Sequence, residues 1–199
     1  SIRQTNRRLC NRPFWLIVFQ IMQRHFDQDL AELKQKLLTM GGLAEAAVLN
    51  VVKALVNRDD DLARKVKEDD RALDQFEIEM DEMAIALLAL KAPLASDLRL
   101  ITVAMKISHD LERVGDEATT IARRALELSQ EPQLKPYVDI PRMAQLGLSM
   151  LNDSLDAFVN GTVSLALAVI PRDKEVDAIN KQLHRELVSY MIERPPTIT

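Results

Sequence analysis

A chain of 199 residues, 47% apolar and 28% charged, can bury one ordinary core or two small ones and is too apolar to remain disordered. With 4% aromatic residues, 5 Gly and 8 Pro, set against abundant Ala, Leu, Glu, Met and Lys, the composition favours an all-α fold over any sheet. A net charge of -4 supplies no positive field for a nucleic-acid backbone, so no nucleic-acid partner is expected, and the single Cys10 excludes an internal disulfide and has no neighbours spaced like a zinc site.

Residues 1–21 differ in character from the rest. Arg3, Arg7, Arg8 and Arg12 precede the apolar run Phe14-Trp15-Leu16-Ile17-Val18-Phe19, which mimics a signal peptide but is too short to span a bilayer and lacks a small-residue cleavage site. Ordinary helical patterning begins at Met22, which suggests an unrelated extension or a mis-assigned start. From Phe26, the positions Leu30, Leu33, Leu37, Met40, Ala44, Ala47, Val51 and Leu55 step by four and three, the seam of a long helix packed in a bundle. Asn57-Arg58-Asp59-Asp60-Asp61 should end it and cap its successor.

A second helix follows through Leu62, Val66, Leu73, Phe76, Met80, Met83, Leu87 and Leu90, with its stepping interrupted at Asp69 and its end set by Pro93. Ser96 with Asp97 offers an N-cap for a third helix, whose seam Leu100, Ala104, Ile107, Leu111, Val114, Ala118, Ile121 and Ala125 reaches about Glu127. Pro132, Pro136 and Pro141 mark a linker. Beyond it, 142–159 and 162–192 read as two further helices.

An internal repeat organises these elements. At a constant, gapless offset of 103, Met40 matches Met143, Leu43 matches Leu146, Ala54 matches Ala157, Asn57 matches Asn160, Val66 matches Val169, Asp70 matches Asp173, Asp74 matches Asp177 and Pro93 matches Pro196. Identities at core, turn and acidic positions in one register point to two copies of one unit. The expectation is therefore an extension over 1–21, a three-helix bundle over 22–130, a linker over 131–141 and a second repeat over 142–199 whose third helix would begin past Thr199. Two helices without that third would leave apolar faces uncovered.

The chemistry-bearing residues are acidic. Carboxylates four apart on a helix share one face, one turn apart, and can converge on a hard cation. Asp70 with Asp74, Glu112 with Asp116, and Asp173 with Asp177 have this spacing, and the first pair extends through Glu77 and Asp81. Such a stripe repels itself unless a cation or a basic side chain intervenes. A solvated charged face is the plain alternative, although recurrence of the Asp pair in both copies argues for a role. Gly115 inside a helix costs about 1 kcal/mol relative to Ala, which hints at a close helix approach. His109, one turn before Glu112, is a lesser ligand candidate. No Glu stands three residues before His25, His109 or His184, so the di-iron Glu-x-x-His arrangement is missing. His-Glu-x-x-His, Walker A and dinucleotide fingerprints are missing as well.

Leu38-Thr39-Met40-Gly41-Gly42, Asp70-Arg71-Ala72-Leu73-Asp74, Ala92-Pro93-Leu94-Ala95-Ser96-Asp97-Leu98-Arg99, Leu111-Glu112-Arg113-Val114-Gly115-Asp116 and Asp173-Lys174-Glu175-Val176-Asp177 together resemble the PhoU family of phosphate-transport regulators, from about Phe26 to Thr199. The resemblance implies two tandem three-helix bundles, the second lacking its last helix here. It also implies a metal-binding role for Asp70, Asp74, Glu112, Asp116, Asp173 and Asp177, with iron or zinc ahead of magnesium or manganese. The implied function is a non-enzymatic, cytoplasmic negative regulator of phosphate uptake and phosphate-starvation signalling. It would associate peripherally with membrane complexes, contacting a sensor histidine kinase and the ATPase subunit of the phosphate ABC transporter, and homodimerisation is a further expectation. The competing readings are a metal-dependent hydrolase, which would need a base or nucleophile beside an open metal position, and a purely structural bundle.

Overall fold

A computed structural model describes residues 14–91 and 95–195, with side chains from His25 onward except Lys91. Helices α1 (Phe14–Asn57), α2 (Asp60–Asp69), α3 (Arg71–Lys91) and α4 (Ala95–Leu128) form the first unit. Helices α5 (Asp139–Asn160), α6 (Val163–Val169) and α7 (Asp173–Glu193) form the second, with a 3₁₀ turn at Ile170–Arg172. No strand occurs among the described residues. The expected arginines before the apolar run, Cys10, Pro93 and Pro196 lie outside the described residues. Helix α1 runs without a break across Met22.

The apolar stepping becomes the core. Leu33, Leu37, Met40 and Ala44 of α1 meet Leu73, Met80 and Ala84 of α3 and Ile101, Ala104 and Leu111 of α4, all nearly inaccessible to solvent. Each large side chain so buried stabilises the bundle by about 1.5–3 kcal/mol. Toward the other end, Ala54, Ala63, Ala118 and Ala122 join Val51 and Val66, small residues that let α1, α2 and α4 approach closely. Within α1, 25–57 is long and apolar enough to cross a membrane, but one face of it is spent on this core.

Asp59 caps α2, its carboxylate accepting from the Leu62 N–H at 2.9 Å, as the turn residues led one to expect. Several boundaries differ from expectation: α5 begins at Asp139, so that Pro141 of the expected linker lies in its first turn, where a proline is tolerated, and the single helix expected over 162–192 is divided at Ile170–Arg172. Ser96 lies inside the first turn of α4 and its hydroxyl contacts Asp97. The second helix is divided at Asp70 into α2 and α3, where Asp69 and Asp70 place two poor helix formers in succession. The interruption of the apolar stepping at Asp69 marks the place, although Val66 and Leu73 on either side keep the same phase.

The offset of 103 holds in three dimensions. Helix α1 ends at Asn57 and α5 at Asn160. The next residues, Arg58 and Gly161, take positive φ of 57° and 67°, and α2 and α6 then begin at Asp60 and Val163. The break before α3 has its counterpart in the 3₁₀ turn before α7, where Pro171 supplies it. Helix α5 docks on α1. Leu155 joins the first core, Lys34 Nζ donates to the Val159 carbonyl at 2.9 Å, and Asn152 donates to Glu45 at 3.3 Å. Core positions of α3 are buried, whereas their counterparts on α7, Leu183, Leu187 and Tyr190, are half-buried.

Candidate metal centre

The acidic face is assembled where α4 crosses the break between α2 and α3. Gly115 permits that crossing: a Cβ there would stand 2.6 Å from both Asp70 Oδ1 and Leu73 Cδ1. Absence of a side chain at Gly115 thus brings the carboxylate that starts α3 against the helix carrying Glu112 and Asp116.

Burial is the main cause that raises the pKa of the Asp70 carboxyl above the ordinary aspartate value. Thr119, whose hydroxyl is shut off from solvent without a hydrogen bond of good geometry, acts in the opposite direction, and the negative charges of Asp74 and Asp116 push upward again. Glu112 is raised as well, by burial first and then by Asp116 and Glu77, with His109 pulling it down and Asp74 adding a smaller upward push. Both groups therefore feel carboxylates from the facing helix, which neither would in a solvated stripe.

One tight donor set lies within this face. His109 Nδ1 stands 3.0 Å from Glu77 Oε1 and 3.9 Å from Glu112 Oε2, and one ligand atom from each of the three lies within 4.8 Å of the others. Two carboxylates and an imidazole suit iron, zinc or manganese, while the surrounding all-oxygen set of Asp70, Asp74 and Asp116 suits harder cations. The donor chemistry fits a divalent or trivalent ion held between α3 and α4, with the carboxylates neutralising it and His109 available as a nitrogen ligand.

Four of the six expected residues, Asp70, Asp74, Glu112 and Asp116, are thus brought near one another. Asp173 and Asp177 are not joined to them. Both are exposed at the start of α7, and Asp177 faces Lys181 at 3.7 Å. The residues underrated from the sequence are Glu77 and His109. Their apposition depends on the register between α3 and α4, and the only linear signal was the placing of Glu77 on the acidic stripe and of His109 one turn from Glu112.

The model of the PhoU domain matches residues 37–125 and 140–199. A phosphate-specific transport system accessory protein PhoU homolog of Pseudomonas putida is 42% identical over 179 residues, covering 89% of this chain and 70% of the relative. The PhoU of Escherichia coli is 35% identical over 87% of the chain and 72% of its own length. Among solved structures, PhoU from Pseudomonas aeruginosa superimposes with a TM-score of 0.82 at 42% identity, covering 87% of this chain and 83% of that one. The phosphate transport system regulatory protein PhoU from Streptococcus pneumoniae does so at 0.77 and 31%, covering 85% and 80%. With both repeats matched and the acidic face in place, the chain belongs to the PhoU family.

Proposed function

We propose that this chain is an accessory protein of a phosphate-specific transport system that restrains phosphate uptake and the phosphate-starvation response. In this reading it works in the cytoplasm as a metal-binding adaptor, touching the ATPase subunit of the transporter on one side and a sensor histidine kinase on the other. The observation that carries the proposal is the 42% identity to a curated transport accessory protein over 89% of the chain. Its mechanism rests on the acidic face: a multivalent cation held by Glu112, Asp116, Asp70, Asp74, Glu77 and His109 would relieve carboxylate repulsion and lock the crossing of α3 and α4, fixing the surface offered to partners. A binding role in place of catalysis is supported by the engagement of His109 with both Glu77 and Glu112 inside the donor set, which leaves that imidazole committed as a ligand and not as a general base. Exposed Val163, Leu167 and Ile170 on the second unit support self-association.

Expression of the chain in a bacterium deleted for its own PhoU tests the proposal, with a starvation-response reporter read in phosphate-rich medium. Reporter repression is the expected result. Folded, abundant protein that leaves the reporter fully induced would overturn the regulatory reading.

A further inference from the structure

The two repeats treat one groove in opposite ways. In the second repeat, Arg172 reaches from the turn before α7 across to α5, where its guanidinium is paired with Asp153 and donates to Ser149 Oγ at 2.8 Å. The residues at the same places in the first repeat, 103 positions earlier, are Asp69, Asn50 and Ala46. The arginine that bridges the groove is replaced by a residue of opposite charge, and the groove between α1 and the α2–α3 break stands open as a cavity of about 360 Å³.

Its floor is apolar, formed by Leu43, Ala47, Val66 and Leu73, and its rim carries Asn50, Glu68 and Asp69. No basic side chain lines it. Among the described residues, Glu68 and Asp69 have no ion-pair partner, and the side chain of Asn50 makes no hydrogen bond. An apolar trough with an acidic, amide-bearing rim matches an arginine side chain: the methylene stem covers the floor, and the planar fork reaches two acceptors at once. Lysine offers a point charge with no fork and matches the rim less well.

We propose that this groove is a docking site for an arginine side chain presented by a protein partner, which would bridge α1 to the α2–α3 break as Arg172 bridges α5 to the turn before α7. Asp70, a member of the candidate metal centre, also lines this groove, so the two sites share an edge at the break, but the arginine occupant itself needs no metal.

The test is titration of the isotope-labelled chain, followed by backbone amide resonances, with N-acetyl-arginine-N-methylamide, its lysine analogue and its neutral citrulline analogue. The expected result is saturable shifts at Asn50, Asp69 and Ala72 with the arginine probe, weaker binding on the order of 1 mM or above being normal for one side chain. The lysine probe should bind several-fold more weakly and the citrulline probe should leave the resonances unmoved. The double substitution Asn50→Asp with Asp69→Arg should place an internal guanidinium in the groove and abolish the shifts while the chain keeps its melting temperature. Asp69→Asn, which leaves the groove open, should weaken the arginine probe several-fold. Absence of saturable shifts in the parent chain, equal binding of arginine and citrulline probes, or undiminished binding to the folded double variant would each overturn the proposal.

Discussion

Asp70 Oδ1 and the α-carbon of Gly115 approach so closely that a methyl group on Gly115 would lie 2.6 Å from the carboxylate oxygen. The contact ties the break in the second helix to the position of the acidic face. Gly115→Ala gains about 1 kcal/mol of helix propensity and spends it on displacing Asp70 and the end of the Leu73 side chain. Stability should therefore change little while the carboxylate moves. Metal affinity, measured by titration with iron(II) or zinc, is expected to fall about tenfold or more, as it does when groups that orient ligands are disturbed. Unchanged affinity in Gly115→Ala would mean that Asp70 takes no part in holding the ion.

The acidic pairs on α4 and α7, Glu112 with Asp116 and Asp173 with Asp177, make opposite predictions although both have the four-residue spacing. Asp173 and Asp177 are exposed, and Asp177 already has Lys181 nearby, so Asp173→Asn with Asp177→Asn should leave the metal content of the purified chain unaltered. Glu112→Ala with Asp116→Ala removes carboxylates from the assembled face and should abolish stoichiometric metal. Elemental analysis of the two double variants after dialysis distinguishes them, and loss of metal from the α7 variant would show that a second centre exists there.

Acid titration has a definite sign. Asp70 and Glu112 are held above their ordinary pKa values, chiefly by burial, so in the metal-free chain their contribution to stability is fully present below the unfolded pKa, about 4, and is lost as pH rises through the folded value. Glu112→Gln should consequently raise the melting temperature of metal-free protein by a few degrees at pH 7 and leave it nearly unchanged at pH 3.5. With saturating zinc the order reverses at pH 7, because the ion stabilises the ionised carboxylate that glutamine cannot supply. Calorimetry at the two pH values, with and without zinc, checks both signs, and a Glu112→Gln chain less stable than its parent without metal at pH 7 would contradict the burial argument.

Much of this fold is written in local periodicity. Leu33, Leu37, Met40, Ala44 and Val51 are buried because the four-and-three step keeps them on one stripe, and no knowledge of partners is needed to see it. Asp59 announces its own cap for the same reason. The break at Asp70 is only half legible by this logic: the stepping falters at Asp69, but Val66 and Leu73 stay in phase across it and read as one helix. Glu77 and His109 escape it altogether: 32 residues separate them, and only the packing of α3 on α4 decides that their side chains meet. A signal did exist for Arg58, which sits where the offset of 103 places Gly161. A glycine after a helix end points to left-handed backbone, and the repeat transfers that expectation to an arginine.

That arginine provides the sharpest stability test. Its φ of 57° is unfavourable for a residue with a β-carbon by about 1–2 kcal/mol, yet the strained turn aims its guanidinium at the end of α4, where Nη2 donates to the carbonyls of Leu128, Ser129 and Glu131 at 3.1, 2.6 and 2.5 Å. The Leu128 carbonyl also accepts from the Glu131 N–H at 3.3 Å, and the Ser129 and Glu131 carbonyls lie just past the helix end, so the side chain serves as a cap supplied from a neighbouring turn. Arg58→Ala keeps the strain and loses the cap, and should cost about 1–2 kcal/mol, within the range for hydrogen bonds to a charged group at a partly exposed site. Arg58→Gly loses the same cap but relieves the backbone, and should be the more stable of the two. At Gly161, φ is similar and there is no guanidinium to compensate, so Gly161→Ala should destabilise by about 1 kcal/mol with nothing gained. Urea unfolding of the three variants ranks them, and an Arg58→Gly chain less stable than Arg58→Ala would show that the left-handed backbone carries no cost at this turn.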